Sequence, residues 1–213
     1  MFDINTIDQP KTALIVIDLQ YDFLPADTSK DDGALAVPGG NDVIAPIHDL
    51  IQMFDNVVLT QDWHPASHKS FASAHEGKAP FETTKMPYGE QVLWPDHCVQ
   101  GSFGSKIALS DHLMAKAQMI IRKGTNPKID SYSAFLENDK TTTTGLAGYL
   151  RERGIEHVVM CGLATDFCVA FSALDAAALG FKVTLIEDAC RGIDPAGVAA
   201  QKGAMKAAGV MLA

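Results

Sequence analysis

Apolar residues in this chain come in short unbroken runs. Residues 14–17, 57–59, 119–121, 158–160, 182–186 and 210–212 are β-branched or aliphatic with almost no polar interruption. A strand with one wet face alternates; a run apolar at every position is expected where both faces of a parallel sheet are covered. Between the runs, residues 43–53, 144–153, 167–179 and 195–208 carry apolar positions at helical spacing. Strand and helix alternate, which predicts right-handed crossovers and a three-layer α/β/α sandwich around a mostly parallel, doubly wound sheet of about six strands. The longest stretch without clear periodicity is residues 64–105, and a loop of that length usually carries function.

A chain of 213 residues, 47% of them hydrophobic, is enough to bury one large core, so a single domain over 1–213 is the expectation. The N-terminus, Met1-Phe-Asp-Ile-Asn-Thr6, has neither the basic region nor the apolar core of a signal peptide, and no run of about eighteen apolar residues occurs, so a cytoplasmic protein is expected. Net charge is −9 without a lysine or arginine cluster, leaving no electrostatic footprint for nucleic acid or an anionic membrane. The expected partner is a small molecule; self-association into a homo-oligomer is left open. Cys98, Cys161, Cys168 and Cys190 form no CxxC pair, which argues against a disulfide framework or a zinc finger.

Sites in open parallel sheets form beyond the carboxyl ends of the strands. There the sequence is rich in chemistry: Asp18 after the first run, Asp62-Trp-His64 after the second, Lys123-Gly124 after the third, and Gly162-Leu-Ala-Thr-Asp-Phe-Cys168 after the fourth. A free cysteine taken alone more often packs as a small hydrophobe than reacts. With Thr165 or Asp166 as N-cap, however, Cys168 would occupy the first turn of a helix ending before Gly180, where unpaired N–H groups and the dipole favour a thiolate. Asp18 could cap backbone or act as a base, and Lys123 alone would read as a solvated lysine. Pointing inward together, the three make a nucleophile, a proton acceptor and a cation that holds them.

Asp62 and His64 stand two apart at a strand end, which turns both side chains to one face. With His97 from Leu93-Trp-Pro-Asp-His-Cys98 they supply two imidazoles and a carboxylate, a donor set for a divalent metal with positions left open, as catalytic sites require. His68 is a weaker fourth donor, and Ser70 could add an oxygen directly or through water. His48, His75, His112 and His157 read as ordinary hydrogen-bonding residues.

These motifs carry a resemblance. With Asp18-Leu-Gln-Tyr-Asp-Phe23, Gly33-Ala-Leu-Ala-Val37, Gln61-Asp-Trp-His-Pro65, Trp94-Pro-Asp-His-Cys-Val-Gln100, Ser131-Tyr-Ser-Ala-Phe135 and the segment ending at Cys168, the chain resembles the nicotinamidases of the isochorismatase-like cysteine hydrolase superfamily from residue 13 to about 210. The resemblance implies an Asp18, Lys123 and Cys168 triad, and a metal on Asp62, His64 and His97, Zn2+ first and Fe2+ or Mn2+ as alternatives. It further implies a cis peptide between Leu163 and Ala164 that turns the N–H groups of Ala164 and Cys168 toward an oxyanion, and aromatic walls from Phe23, Trp94 and Tyr132. The implied reaction is hydrolysis of nicotinamide, and of pyrazinamide, to the acid and ammonia, a step of NAD salvage. Another cysteine amidase, such as a carbamoyl-amine hydrolase, is the alternative, and an inactive binding module a weaker one. Residues 26–32 depart from the family by lengthening a usually tight link.

Overall fold

The computed structural model describes residues 7–27 and 31–213. Residues 1–6, and 28–30 of the 26–32 link, lie outside the described residues. The six apolar runs form β1 (Thr12–Ile17), β2 (Val57–Asp62), β5 (Met119–Lys123), β6 (His157–Leu163), β7 (Lys182–Arg191) and β8 (Met211–Leu212). They make one sheet in the order β5-β2-β1-β6-β7-β8, every pair parallel. All residues of β1, β2 and β6 are buried, as their unbroken apolar character requires.

The helices are α1 (Ile44–Met53), a four-residue α2 (Asp111–Met114), α3 (Leu146–Glu152), α4 (Ala170–Ala178) and α5 (Pro195–Ala207). From β1 the chain steps to β2 and then β5 on one side, and from β6 to β7 and β8 on the other. Right-handed crossovers in opposite directions put α1 and α2 on one face and α3, α4 and α5 on the other. The packing agrees: α1 meets α2, and α4 meets α5. Helix α5 starts on a clear local signal, with Pro195 at its first position and the Asp194 carboxylate accepting the Gly197 N–H at 2.7 Å. Helix α4 stops where expected, at Gly180 in a left-handed conformation (φ 91°).

Two expectations need correction. The 64–105 stretch is not all loop: it holds an antiparallel hairpin of β3 (Thr83–Met86) and β4 (Gly89–Val92). The 167–179 helix starts later, after a five-residue π-turn at Thr165–Val169. No helix among the described residues is long and apolar enough to cross a membrane.

The strand order reverses between β1 and β6, so a crevice opens there at the carboxyl edge. The two strands approach closely at that point. Gly162 pairs with Ile17, and a Cβ on Gly162 would collide with the Ile17 carbonyl.

Candidate active site

Asp18 follows β1 directly, with a left-handed backbone (φ 45°) that non-glycine residues rarely adopt. Thr60 on β2 holds it: the Thr60 hydroxyl accepts the Asp18 N–H at 3.0 Å and donates to Asp18 Oδ1 at 2.5 Å. That leaves Oδ2 facing Lys123 Nζ at 2.8 Å. Lys123 ends β5 in register with Asp62 at the end of β2, which explains why Nζ also reaches Asp62 Oδ1 at 2.7 Å. The ammonium further donates to the Ser131 carbonyl at 3.0 Å and lies 3.3 Å from Cys168 Sγ. Lys123 is 2% exposed and Asp18 fully buried, so this cluster is sheltered from water.

Burial and charge compete at each group. Burial alone would lower the Lys123 pKa, but Asp18 and Asp62 outweigh it and hold the ammonium charged. Asp18 is raised, burial being the larger cause and Lys123 the opposing one. Asp62 is also pushed up by burial, yet His64 and Lys123 together hold it below the usual carboxylate range. Cys168 corrects the sequence reading. Burial drives its thiol well above the ordinary value, with Lys123 pulling the other way, so the resting group is a thiol. The expected cap does not form either. Asp166 turns its carboxylate to the N–H groups of Ile193 and Asp194, both at 2.9 Å, and the segment's N-terminus has no side-chain cap. The Leu163–Ala164 peptide is cis.

His64, His97 and Asp62 meet because the long loop folds back on itself. The His64 N–H donates to the Cys98 carbonyl at 3.0 Å and the Gln100 N–H to the His64 carbonyl at 2.8 Å, which brings residue 97 beside residue 64. Cys98 takes a left-handed φ of 48°, fixed by its N–H donating to Asp22 Oδ2 at 2.6 Å. The result sets His97 Nε2 3.4 Å from Asp62 Oδ2 and His64 Nδ1 3.8 Å from Asp62 Oδ1. One donor atom from each residue lies within 4.8 Å of the others, and all three residues are buried. His64 Nδ1 has no hydrogen-bond partner among the described residues. A buried imidazole nitrogen left bare beside a second imidazole and an ionised carboxylate suits a divalent metal.

His68 lies beside this cluster, its ring 4.4 Å from that of His64; with His64 and Asp130 it makes a second buried group of donor atoms within 4.8 Å of one another, and its Nε2 has no hydrogen-bond partner among the described residues. Ser70 Oγ sits 2.7 Å from His68 Nδ1, and the Ser70 N–H donates to the same nitrogen at 3.1 Å. Burial and then His64 lower the His68 pKa to about 4, so this imidazole is neutral. His157 and His75 behave as expected: His157 Nε2 meets Thr184 Oγ1 at 2.9 Å and His75 Nε2 the Lys69 carbonyl at 2.8 Å.

A cleft runs from the metal-type cluster to Cys168, lined by Phe23, Trp94, Tyr132 and Ala164, and also by Leu35, Asp130, Phe167 and Ile193, which sequence reasoning did not single out. Phe167 meets Trp94 edge-on at 4.7 Å and Tyr132 at 5.5 Å, while Phe23 packs on His97 at 5.6 Å. Such walls favour a flat aromatic guest.

Gly124 carries a sharp expectation. Its φ is 67°, and an added Cβ would run into the His64 ring. Gly124→Ala is expected to cost about 1 to 2 kcal/mol for the left-handed backbone alone and to displace His64, so melting temperature and metal content should fall together. A variant that melts lower yet keeps its full metal content would separate Gly124 from the cluster.

An isochorismatase domain matches residues 12–213. The chain is 50% identical to the nicotinamidase of Acinetobacter baylyi over 194 residues, 91% of this chain and 87% of the relative. Among solved structures it resembles PnC1 of L. infantum in complex with nicotinate at TM-score 0.82 and 38% identity, covering 98% of this chain and 94% of the other. It also resembles the pyrazinamidase of Pyrococcus horikoshii in complex with zinc, at TM-score 0.77 and 36% identity over 96% and 99% of the two chains. With its six-stranded parallel sheet and the matched span from the first strand to the C-terminus, this chain belongs to the isochorismatase-domain family and, within it, to the nicotinamidases.

Proposed function

We propose that this chain hydrolyses nicotinamide to nicotinate and ammonia, and pyrazinamide likewise, with Asp18, Lys123 and Cys168 as the catalytic groups and Asp62, His64 and His97 as ligands of a divalent metal. The observation that carries the reading is Lys123 Nζ, 2.8 Å from Asp18 Oδ2 and 3.3 Å from Cys168 Sγ in a cleft walled by aromatic rings. Nicotinate in the L. infantum relative and zinc in the Pyrococcus horikoshii relative support it. Zn2+ is the proposed ion, because two imidazoles and one carboxylate suit it; Fe2+ and Mn2+ accept the same donors. The proposed setting is the cytoplasm, where the product feeds NAD synthesis, with residues 1–213 as a single domain.

The pyridine ring lies between Phe23, Trp94 and Tyr132, presenting its carboxamide to Cys168. Asp18, a stronger base for being buried, accepts the thiol proton as sulfur bonds to the amide carbon, and the carbonyl electron pair moves onto oxygen. The backbone N–H groups of Ala164 and Cys168 are the proposed donors to that oxyanion, and each such donor contributes about 3 to 4 kcal/mol of barrier lowering. Collapse breaks the C–N bond, and the proton held on Asp18 goes to the departing nitrogen, so ammonia leaves and a thioester remains. Asp18 then takes a proton from water as the hydroxide attacks the thioester; the C–S bond breaks, the proton on Asp18 returns to sulfur to restore the thiol, and the acid departs as nicotinate, its proton passing to solvent. Lys123 holds Asp18 aimed throughout and favours its ionised form before each proton is accepted. When bound, the metal supplies an open Lewis-acid position suited to a ring nitrogen.

The test is ammonia release by purified protein from nicotinamide, pyrazinamide and N-carbamoyl amines, alongside elemental analysis. Release from the two ring amides is expected; release from carbamoyl amines alone would reassign the substrate, and release from none would leave a binding module. His97→Ala is expected to reduce a near-stoichiometric metal content to a small fraction and to raise KM; unchanged metal content would remove His97 from the ligand set.

A further inference from the structure

Asp130 lies in the loop between β5 and α3, well past the end of β5 along the chain, and is 2% exposed. A carboxylate buried so deeply must be compensated by its neighbours. Its two oxygens face different parts of the site. Oδ1 accepts the Ser131 N–H at 2.8 Å and stands 3.4 Å from His64 Nε2. Oδ2 accepts from Gln91 Nε2 at 3.0 Å. Gln91, on β4, also donates to the Tyr132 hydroxyl at 2.8 Å, and that hydroxyl accepts the Trp94 indole N–H at 3.2 Å.

An imidazole binds a metal through one nitrogen. His64 turns Nδ1 toward Asp62, and when it ligates through that nitrogen Nε2 carries the proton and faces Asp130. A carboxylate on the far nitrogen of a ligating histidine fixes both the tautomer and the ring plane and raises the basicity of the ligating nitrogen. We propose that Asp130 is the positioning residue for His64 and that, through Gln91, it couples the metal ligands to the Tyr132 and Trp94 wall. The proposal rests on the ligand set given above and extends it to a loop carboxylate and a hairpin amide.

The test compares wild type, Asp130→Asn, Asp130→Ala and Gln91→Leu, each loaded with zinc and, separately, with cobalt. Asparagine is nearly isosteric and keeps one oxygen, which can accept from Ser131 or from Gln91 but not from both, and this limits the structural damage relative to alanine. Zinc affinity, measured by competition with a chromophoric chelator, is expected to weaken about 10- to 100-fold in both Asp130 variants, with a shifted cobalt visible spectrum. Gln91→Leu is expected to weaken zinc affinity by less than the Asp130 variants do, and to raise KM for nicotinamide several-fold more than it lowers kcat. Wild-type zinc affinity and an unshifted spectrum in Asp130→Asn would overturn the positioning role, and an unchanged KM in Gln91→Leu would overturn the coupling. If wild type itself takes up neither metal, the ligand assignment fails first and the proposal falls with it.

Discussion

Cys168→Ala is expected to lower kcat for nicotinamide by about 10⁴-fold or more, as loss of a covalent nucleophile does in other hydrolases, while the protein stays folded and keeps its metal. The geometry separates these outcomes. Sγ touches Lys123 Nζ at 3.3 Å, whereas the atoms that gather as a metal cluster belong to Asp62, His64 and His97. Lys123 keeps its contacts with Asp18, Asp62 and the Ser131 carbonyl when the sulfur is removed. The side chain lost is small and lines a cleft, so the cost in stability should be about 1 kcal/mol. Ammonia release and elemental analysis on the same preparation check both halves. Turnover equal to wild type would mean that another group attacks the amide.

Lys123→Met should be the most damaging single change to stability. It leaves two buried carboxylates, Asp18 and Asp62, without the ammonium that now sits 2.8 and 2.7 Å from them. Removing one partner of a buried ion cluster costs about 3 to 5 kcal/mol, or roughly 10 °C in melting temperature for a chain of this size, and turnover should vanish as well. The loss has a definite pH dependence. Asp18 is already raised by burial with Lys123 opposing, so the substitution raises it further. A carboxyl whose folded pKa exceeds its unfolded value of about 3.9 penalises folding when ionised, and the penalty fades as pH falls through the folded pKa. The stability gap between variant and wild type should therefore be widest at neutral pH and narrow toward about pH 4. Denaturant unfolding of chelator-treated protein at a series of pH values would show it, and a gap independent of pH would mean that packing, not charge, is lost.

The sheet was readable because β1, β2 and β6 are buried at every position, a demand that leaves unbroken apolar runs. The hairpin was hidden for the opposite reason. Most of Thr83–Met86 and Gly89–Val92 is exposed or half-buried, and the only fully buried position, Gln91, is polar. The groups proposed for catalysis and metal binding stood out where they end strands. Asp130 does not, and nothing around it in the sequence distinguishes a buried carboxylate from a loop residue in water. Phe167 read as one more apolar residue of a helix, although it packs edge-on against Trp94. The misplaced cap has a similar origin: Asp166 is a good capping residue by type, but its oxygens are claimed by the Ile193 and Asp194 amides from a segment far along the chain. The thiol's raised pKa was equally invisible, since it depends on how much water reaches Cys168 and on the distance to Lys123.

Strand β5, which supplies Lys123, is an edge of the sheet, hydrogen-bonded to β2 on one side. Peripheral strands open by local fluctuations at lower free energy than central ones, ahead of cooperative collapse of the whole domain. The cation proposed to organise the triad thus hangs from one of the two edge strands of the scaffold. Warming should extinguish turnover while β1 and β6 at the sheet centre still protect their amides from hydrogen exchange, and whatever rests against the outer side of β5 tunes the enzyme's thermal tolerance without touching the cleft.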